Sequence, residues 1–66
     1  MYTVTKDKAV IEDIEVVVYG IRYDDECSVS DISTDKSAVE KLADDFNRYG
    51  LDPIHLYDAI EDFLGQ

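Results

Sequence analysis

The chain has little of several residue types, and each shortage excludes a class of structure. Cysteine occurs once, as Cys27, so neither an internal disulfide nor a zinc site made of several thiolates can form. The few glycines are isolated from one another, and no Gly-rich phosphate-binding loop is present. No apolar run approaches the roughly 18 residues of a membrane-spanning helix, and no signal peptide is recognisable. We therefore expect a small protein in a reducing, cytoplasmic setting.

Basic residues are scarce as well. Six Lys and Arg side chains stand against sixteen Asp and Glu side chains, and the formal net charge is −10. Such a chain repels nucleic acid and anionic lipid, so we expect neither direct nucleic-acid binding nor membrane binding. The charge favours a protein partner with a basic surface, with self-association as another possibility. The simpler explanation of the same charge is a surface that only keeps the protein soluble.

The residues that are present suffice for a single globular domain over residues 1–66. Apolar residues make up 45% of the chain and include five Tyr and two Phe, so the charge does not indicate disorder. A domain of this size buries only about 60% of the surface that its unfolded chain exposes. The hydrophobic core must therefore be small.

The clearest local signal lies between Thr34 and Gly65, where two predicted helices meet at a tight corner. Gly50 can adopt the left-handed conformation that ends a helix, and Leu51 can fold back as the apolar contact of a Schellman motif. Asp52 and Pro53 then supply an N-cap and a first helical residue, so the second helix is expected to begin there.

Apolar residues follow a helical stripe on each side of this corner. The first helix has Asp35 or Thr34 as its N-cap, and Ser37 with Glu40 offers a competing capping box. Both stripes repeat at spacings of three and four and are expected to face the sheet. They comprise Val39, Leu42, Ala43, Phe46 and Tyr49 in the first helix, and Ile54, Leu56, Tyr57, Ile60, Phe63 and Leu64 in the second.

The first half of the chain is rich in β-branched and aromatic residues and predicts three strands joined by polar turns. The first is interpreted as one long bent strand, with two short strands around Lys6-Asp7-Lys8 as the alternative. The second holds the run Val16-Val17-Val18-Tyr19 and is expected to be central. In chain order, the segments are a strand over 1–11, a turn at Glu12-Asp13, a strand over Glu15–Tyr23, a two-residue tip at Asp24-Asp25 and a strand over Glu26–Ile32.

The predicted fold is an α+β domain, a three-stranded antiparallel β-meander followed by an αα-hairpin packed on one face, in the order β-β-β-α-α. Both faces of the central strand are apolar, whereas two helices can cover only one of them. With a two-residue tip, Gly20 lies opposite Val29 and Arg22 opposite Cys27. This register makes the even-numbered side of the central strand the continuous apolar face, and a three-residue loop would change the partners.

Several short stretches carry a resemblance to a known family. They are Tyr19-Gly20-Ile21, the run Ser30-Asp31-Ile32-Ser33-Thr34-Asp35, and Leu51-Asp52-Pro53-Ile54-His55-Leu56 continuing to Glu61-Asp62-Phe63-Leu64. From about Tyr19 onward the chain resembles a family of short, functionally uncharacterised acidic proteins from Gram-positive anaerobic bacteria. The resemblance implies a small intracellular bacterial protein and transfers no catalytic residue.

Candidate catalytic and metal-binding residues are few. Cys27 and His55 are the only residues of their kinds, and a thiol nucleophile needs a base and a cleft for which so small a core has little room. His55, Asp58 and Asp62 share one side of the second helix, but three such residues alone are a weak signal for a metal. We therefore expect no enzymatic activity, no cofactor and no metal site.

Two candidate surfaces remain. The first is an aromatic patch with an acidic rim, which is exposed if the helices leave the odd-numbered side of the central strand uncovered and is core if they cover it. It comprises Tyr19, Ile21, Tyr23, Asp24, Asp25 and Glu26. The second is an acidic ridge on the helices, comprising Glu40, Asp44, Asp58, Glu61 and Asp62.

Each surface predicts a different function. The aromatic patch predicts a small acidic, non-enzymatic protein-interaction module. The acidic ridge predicts the alternative, a nucleic-acid mimic that inhibits a DNA- or RNA-binding protein, as anti-CRISPR-like and other phage-derived decoys do. An uninterrupted row of acids along the helices would favour that alternative.

Overall fold

The computed structural model describes residues 1–65 and has three antiparallel strands followed by two helices. The strands are β1 (Tyr2–Ile11), β2 (Ile14–Tyr23) and β3 (Cys27–Ser33), in the sheet order β1-β2-β3. The helices are α1 (Lys36–Tyr49) and α2 (Leu56–Leu64), with a 3-10 turn at Pro53–His55 between them. The predicted order β-β-β-α-α is confirmed, and β2 is central as expected.

The β1–β2 hairpin is the longest feature of the sheet. β1 is one continuous strand that pairs with β2 from Tyr2–Tyr23 to Ile11–Ile14. Glu12 and Asp13 both have left-handed backbone angles, φ 52° and 66°, which is typical of a type I′ turn. Because β3 pairs with β2 only between Tyr19 and Tyr23, residues 7–18 extend beyond it as a two-stranded arm.

The β2–β3 connection differs from the prediction. Tyr23 pairs with Cys27 and Ile21 with Val29, so the loop has three residues, 24–26, and the predicted two-residue tip is wrong. Asp24 is left-handed, with φ 45°, and the Glu26 N–H donates to the Tyr23 carbonyl oxygen at 3.0 Å, which closes the loop one residue later than expected. The predicted pairs Gly20–Val29 and Arg22–Cys27 are therefore not formed.

This shift decides which side of the sheet the helices cover. Ile21, on the odd-numbered side of β2, is completely buried, and the prediction that the even-numbered side is the continuous apolar face is wrong. The core joins this side of the sheet to both helices. Its buried members are Tyr2, Ile21, Ile32, Val39, Ala43, Phe46, Leu56 and Ile60.

A β-bulge in β3 lies directly against β2. Three residues, 30–32, lie between the partners Val29 and Ser33, whereas only Gly20 lies between Ile21 and Tyr19 on β2. Asp31 in the bulge is left-handed, with φ 56°, and the next residue, Ile32, is buried in the core. Bulges of this kind re-aim side chains, and here the strand supplies an additional core residue.

The helix ends follow the sequence signals. Asp35 caps α1, with its Oδ1 accepting from the Ala38 N–H. Gly50 is left-handed, with φ 65°, and the Leu51 N–H donates to the Phe46 carbonyl oxygen at 3.0 Å. This six-to-one bond is the signature of the expected Schellman motif, and the Asp52 carboxylate accepts from the Ile54 N–H at 3.1 Å.

Substitutions at the corner should therefore lower stability by separate routes. Gly50→Ala should cost about 1 kcal/mol through left-handed strain alone, because nothing lies within 4 Å of an added Cβ. Asp52→Ala should cost about 1 kcal/mol through loss of the cap. Denaturant unfolding measures both, with Gly65→Ala as a control because Gly65 has φ −81°. A Gly50→Ala variant as stable as the wild type would contradict the corner geometry.

Candidate functional site

The aromatic patch predicted on the central strand is not an exposed surface. Ile21 is 0% exposed, and Tyr19 and Tyr23 are half-buried against the core. The Tyr23 ring lies 4.7 Å from the Tyr2 ring, centroid to centroid. The expectation of an uncovered patch is therefore wrong, and the alternative that these residues belong to the core holds. Its acidic rim, residues 24–26, does lie exposed on the hairpin loop.

Tyr2 fastens β1 to the helical corner, a role that sequence reasoning missed. Its hydroxyl donates to the Leu51 carbonyl oxygen at 2.7 Å. The Asn47 side chain accepts from the Tyr2 backbone N–H at 2.7 Å and donates to the Tyr2 carbonyl oxygen at 2.9 Å. Burial raises the pKa of the Tyr2 hydroxyl, and the neighbouring Tyr23 raises it further. This end of the molecule is therefore a structural junction.

The free edge of β1 is protected against strand addition. The backbone N–H and carbonyl oxygen of Tyr2 both bond to Asn47, so they point away from β2. Because backbone groups alternate in direction along a strand, those of the other even-numbered residues of β1 point away from β2 as well. The Lys8 N–H on this edge donates to the Asp7 carboxylate at 2.9 Å, and lysines at positions 6 and 8 discourage pairing with another strand. A partner is therefore expected to bind a face of the molecule and not this edge.

Two groups of large apolar side chains remain exposed. One lies at the end of the arm, where Val10, Ile11 and Ile14 are each more than half exposed. The other, which we name the outer row, runs along the 3-10 turn and α2 and comprises Ile54, Tyr57 and Leu64, at 77%, 58% and 58% exposure. Exposed apolar residues that occur singly are ordinary, whereas groups of them are typical of binding surfaces.

The outer row corrects the predicted helical stripes. Leu56 and Ile60 are buried as expected, but Ile54, Tyr57 and Leu64 point outward, and Tyr49 at the end of α1 is exposed as well. At about 100° per residue, Tyr57 and Leu64 lie roughly 80–100° around α2 from Leu56, and Ile54 lies in the 3-10 turn just before them. The apolar band of α2 is thus wider than the part that packs on the sheet, and the outer row is its exposed margin.

Acidic residues accompany the outer row. Asp58, Glu61 and Asp62 are all exposed on α2, and no Lys or Arg occurs between Gly50 and Gly65. Asp58 and Glu61 therefore place negative charge beside the outer row, whereas Asp62 lies in the groove toward α1 together with Lys41. Charge complementarity on such a surface favours a positively charged partner.

The predicted acidic ridge is divided by a base. Its α1 members, Glu40 and Asp44, are exposed like those of α2. Between the two helices lies an open groove of about 310 Å³, and Lys41 lines it together with Asp45 and Asp62. A cation in the groove breaks the phosphate-like run of charge that a nucleic-acid mimic requires.

The residues considered for catalysis lie in unlike surroundings. Cys27 is half-buried and packs against the core, which is common for a cysteine on a strand. His55 is exposed at the N-cap position of α2, where its side chain makes no capping hydrogen bond. Within residues 1–65, no group of three or more His, Cys, Asp or Glu side chains is arranged to hold a metal ion.

The fold defines the general class of the protein, an α+β domain in which an αα-hairpin covers one face of a three-stranded meander. The chain belongs to DUF6514, a family of unknown function whose model matches residues 1–66. No match was found among curated proteins or among solved structures. Across the described part of the chain, no helix combines the length and the apolar content needed to cross a membrane.

Proposed function

We propose that this protein is a small acidic, non-enzymatic interaction module that binds a protein partner with a basic surface. The observation that carries the proposal is the outer row of α2, where Ile54, Tyr57 and Leu64 are exposed beside Asp58 and Glu61. Buried apolar area supplies affinity in protein interfaces, and a charged rim supplies orientation and association rate. Both components occur together on this helix.

The same surface favours binding of a protein partner over the alternative function, nucleic-acid mimicry. A nucleic-acid mimic works by replacing phosphate charges, and exposed Ile, Tyr and Leu side chains contribute nothing to that replacement. Tyrosine, in contrast, is frequent among the residues that dominate protein-interface energies. Lys41, in the groove between the helices, further weakens the case for mimicry. The proposal gives Cys27 and His55 no catalytic role.

The experiment begins with a partner recovered from the native cell by crosslinking and then purified. Its affinity is measured for the wild type, for an acid variant (Asp58→Asn/Glu61→Gln/Asp62→Asn) and for an apolar variant (Tyr57→Gln/Leu64→Gln). We expect each variant to weaken binding about tenfold or more, equivalent to roughly 1.4 kcal/mol. A charge-matched control, Asp13→Asn/Asp25→Asn/Glu26→Gln, removes three acids elsewhere and should change the affinity by less than about twofold.

Salt dependence separates the two functions. For the interaction module, raising the salt concentration should lower the association rate. The affinity supplied by the buried apolar area should change much less. A decoy should instead lose affinity steeply with salt and with every acid removed, and it should keep its affinity in the apolar variant. An apolar variant that binds like the wild type would contradict the proposed module.

A further inference from the structure

The spacing of the outer row identifies the shape of what it can bind. Ile54 and Tyr57 are three residues apart, Glu61 follows after four and Leu64 after three more. This three-four-three repeat forms a narrow seam, the pattern with which one helix receives another. The nine residues of α2 and the end of the 3-10 turn before it, at about 1.5–2 Å per residue, give a seam roughly 16 Å long. A partner helix of about three turns matches that length.

The packed part of α2 is fully used within the domain, and the outer row on its exposed margin is available to a partner. Leu56 is 0% exposed and Ile60 is 3% exposed, both in the core. Phe63 and Ala59 pack partly against the same core. The outer row can therefore be covered without disturbing the contacts that hold α2 on the sheet.

Charge decides between the possible helical occupants. Glu61 lies within the seam and Asp58 lies beside it, whereas Asp62 lines the groove toward α1. A second copy of α2 would bring the same acids against these, which is unfavourable in a helix pair. A helix with Lys or Arg beside its apolar residues would meet opposite charge at Asp58 and Glu61, and Arg would also contact the Tyr57 ring favourably.

We propose that the outer row of α2 binds an amphipathic helix with basic flanks that belongs to a partner protein. This inference rests on the proposed function and names the partner's secondary structure and the surface that receives it. The apolar residues of that helix pack against Ile54, Tyr57 and Leu64. Its basic residues pair with Asp58 and Glu61.

The probe is a synthetic Leu/Lys peptide of about 14 residues with its leucines on one helical face. Binding to the full chain is followed by amide chemical shifts at about 0.15 M salt. We expect shifts centred on residues 54–64 and a dissociation constant that rises about tenfold or more in the Tyr57→Gln/Leu64→Gln variant. The matched control Ile11→Thr/Ile14→Thr removes two exposed apolar side chains from the arm and should leave the peptide affinity within about twofold.

Two further peptides and one hydrodynamic measurement make the test decisive. A scrambled Leu/Lys peptide of the same charge should bind at least about tenfold more weakly, and a Leu/Glu peptide should not bind. Equal binding of the scrambled peptide, shifts centred on the arm, or dimerisation of the free chain through the outer row would each overturn the inference. If the Leu/Lys peptide fails while the native partner still loses affinity in the acid and apolar variants, the helical partner is wrong but the interaction module stands. If the native partner binds both variants with wild-type affinity, the proposed function itself is wrong.

Discussion

Gly20→Ala is expected to be the most destabilising of the small substitutions in this protein, because it adds one methyl group where the β-bulge crosses β2. A Cβ at Gly20 would collide with the Val29 carbonyl oxygen and would lie 2.8 Å from the Ser30 Cα and 2.9 Å from the Thr5 Oγ1. Two of these three atoms are backbone atoms of β3 and cannot move without breaking its pairing with β2. Overpacking of this severity should cost about 3 kcal/mol or more.

Denaturant unfolding of Gly20→Ala measures this cost, and a double variant identifies its source. The third close contact is a side chain, so Thr5→Ala relieves it without altering the bulge. We expect Gly20→Ala/Thr5→Ala to remain nearly as unstable as Gly20→Ala alone. If Thr5→Ala restores stability, or if Gly20→Ala unfolds like the wild type, the close passage of β3 over Gly20 is wrong. Such a loss is large for a domain of this size, whose total stability is of the order of 3–10 kcal/mol.

Ile21→Ala should have the second large effect, and it tests which side of the sheet the helices cover. Ile21 is completely buried beneath them, so truncation removes apolar contacts and leaves a cavity, at a cost of about 2–5 kcal/mol. Ile14→Ala is the control for truncating an exposed isoleucine on the same strand, since Ile14 lies at the end of the arm and is 63% exposed. That substitution should cost less than about 1 kcal/mol.

The losses of stability in these two isoleucine variants distinguish the two possible covered faces of the sheet. If the helices covered the even-numbered side, as the two-residue tip implied, Ile21 would lie on the uncovered side and its truncation would cost no more than that of exposed Ile14. Circular dichroism during denaturant unfolding is sufficient to rank the variants. Equal losses for Ile14→Ala and Ile21→Ala would contradict the assignment of the covered face.

The fold order and the helical corner could be predicted because their signals are local. Gly50 must take the left-handed conformation and Asp52 must cap whatever follows, so a few adjacent residues determine the geometry. The long first strand was also predicted correctly, as its continuity follows from β-favouring residues on both sides of Lys6-Asp7-Lys8. In each case the deciding interactions lie within about one turn of the residue concerned.

The covered face could not be predicted, because it depends on a single residue of loop length. Asp24, Asp25 and Glu26 are all compatible with a turn, and the choice between two and three loop residues moves every β3 side chain to the other side of the sheet. In the sequence, the one sign of the bulge opposite Gly20 is that glycine itself. An isolated glycine within a strand is typical of a close approach by another backbone. Predicting the aromatic patch required the register, and the register was wrong.

The outer row could not be predicted from the sequence for a different reason. Ile54, Tyr57 and Leu64 border Leu56 and Ile60 at spacings of three and four, so the pattern predicts one continuous stripe. That stripe is wider than the contact a helix makes with a flat sheet, and its margin stays exposed. The absence of Lys and Arg after Gly50 is the signal that could have marked this surface.

The most direct test of the interaction module is an amide chemical-shift map of the full chain with its purified native partner bound. The account predicts perturbations centred on the outer row, at Ile54, Tyr57 and Leu64, with the acids of α2 included and the arm unchanged. A map centred on Val10, Ile11 and Ile14 at the end of the arm, or spread over the acids of α1 without the outer row, would contradict it.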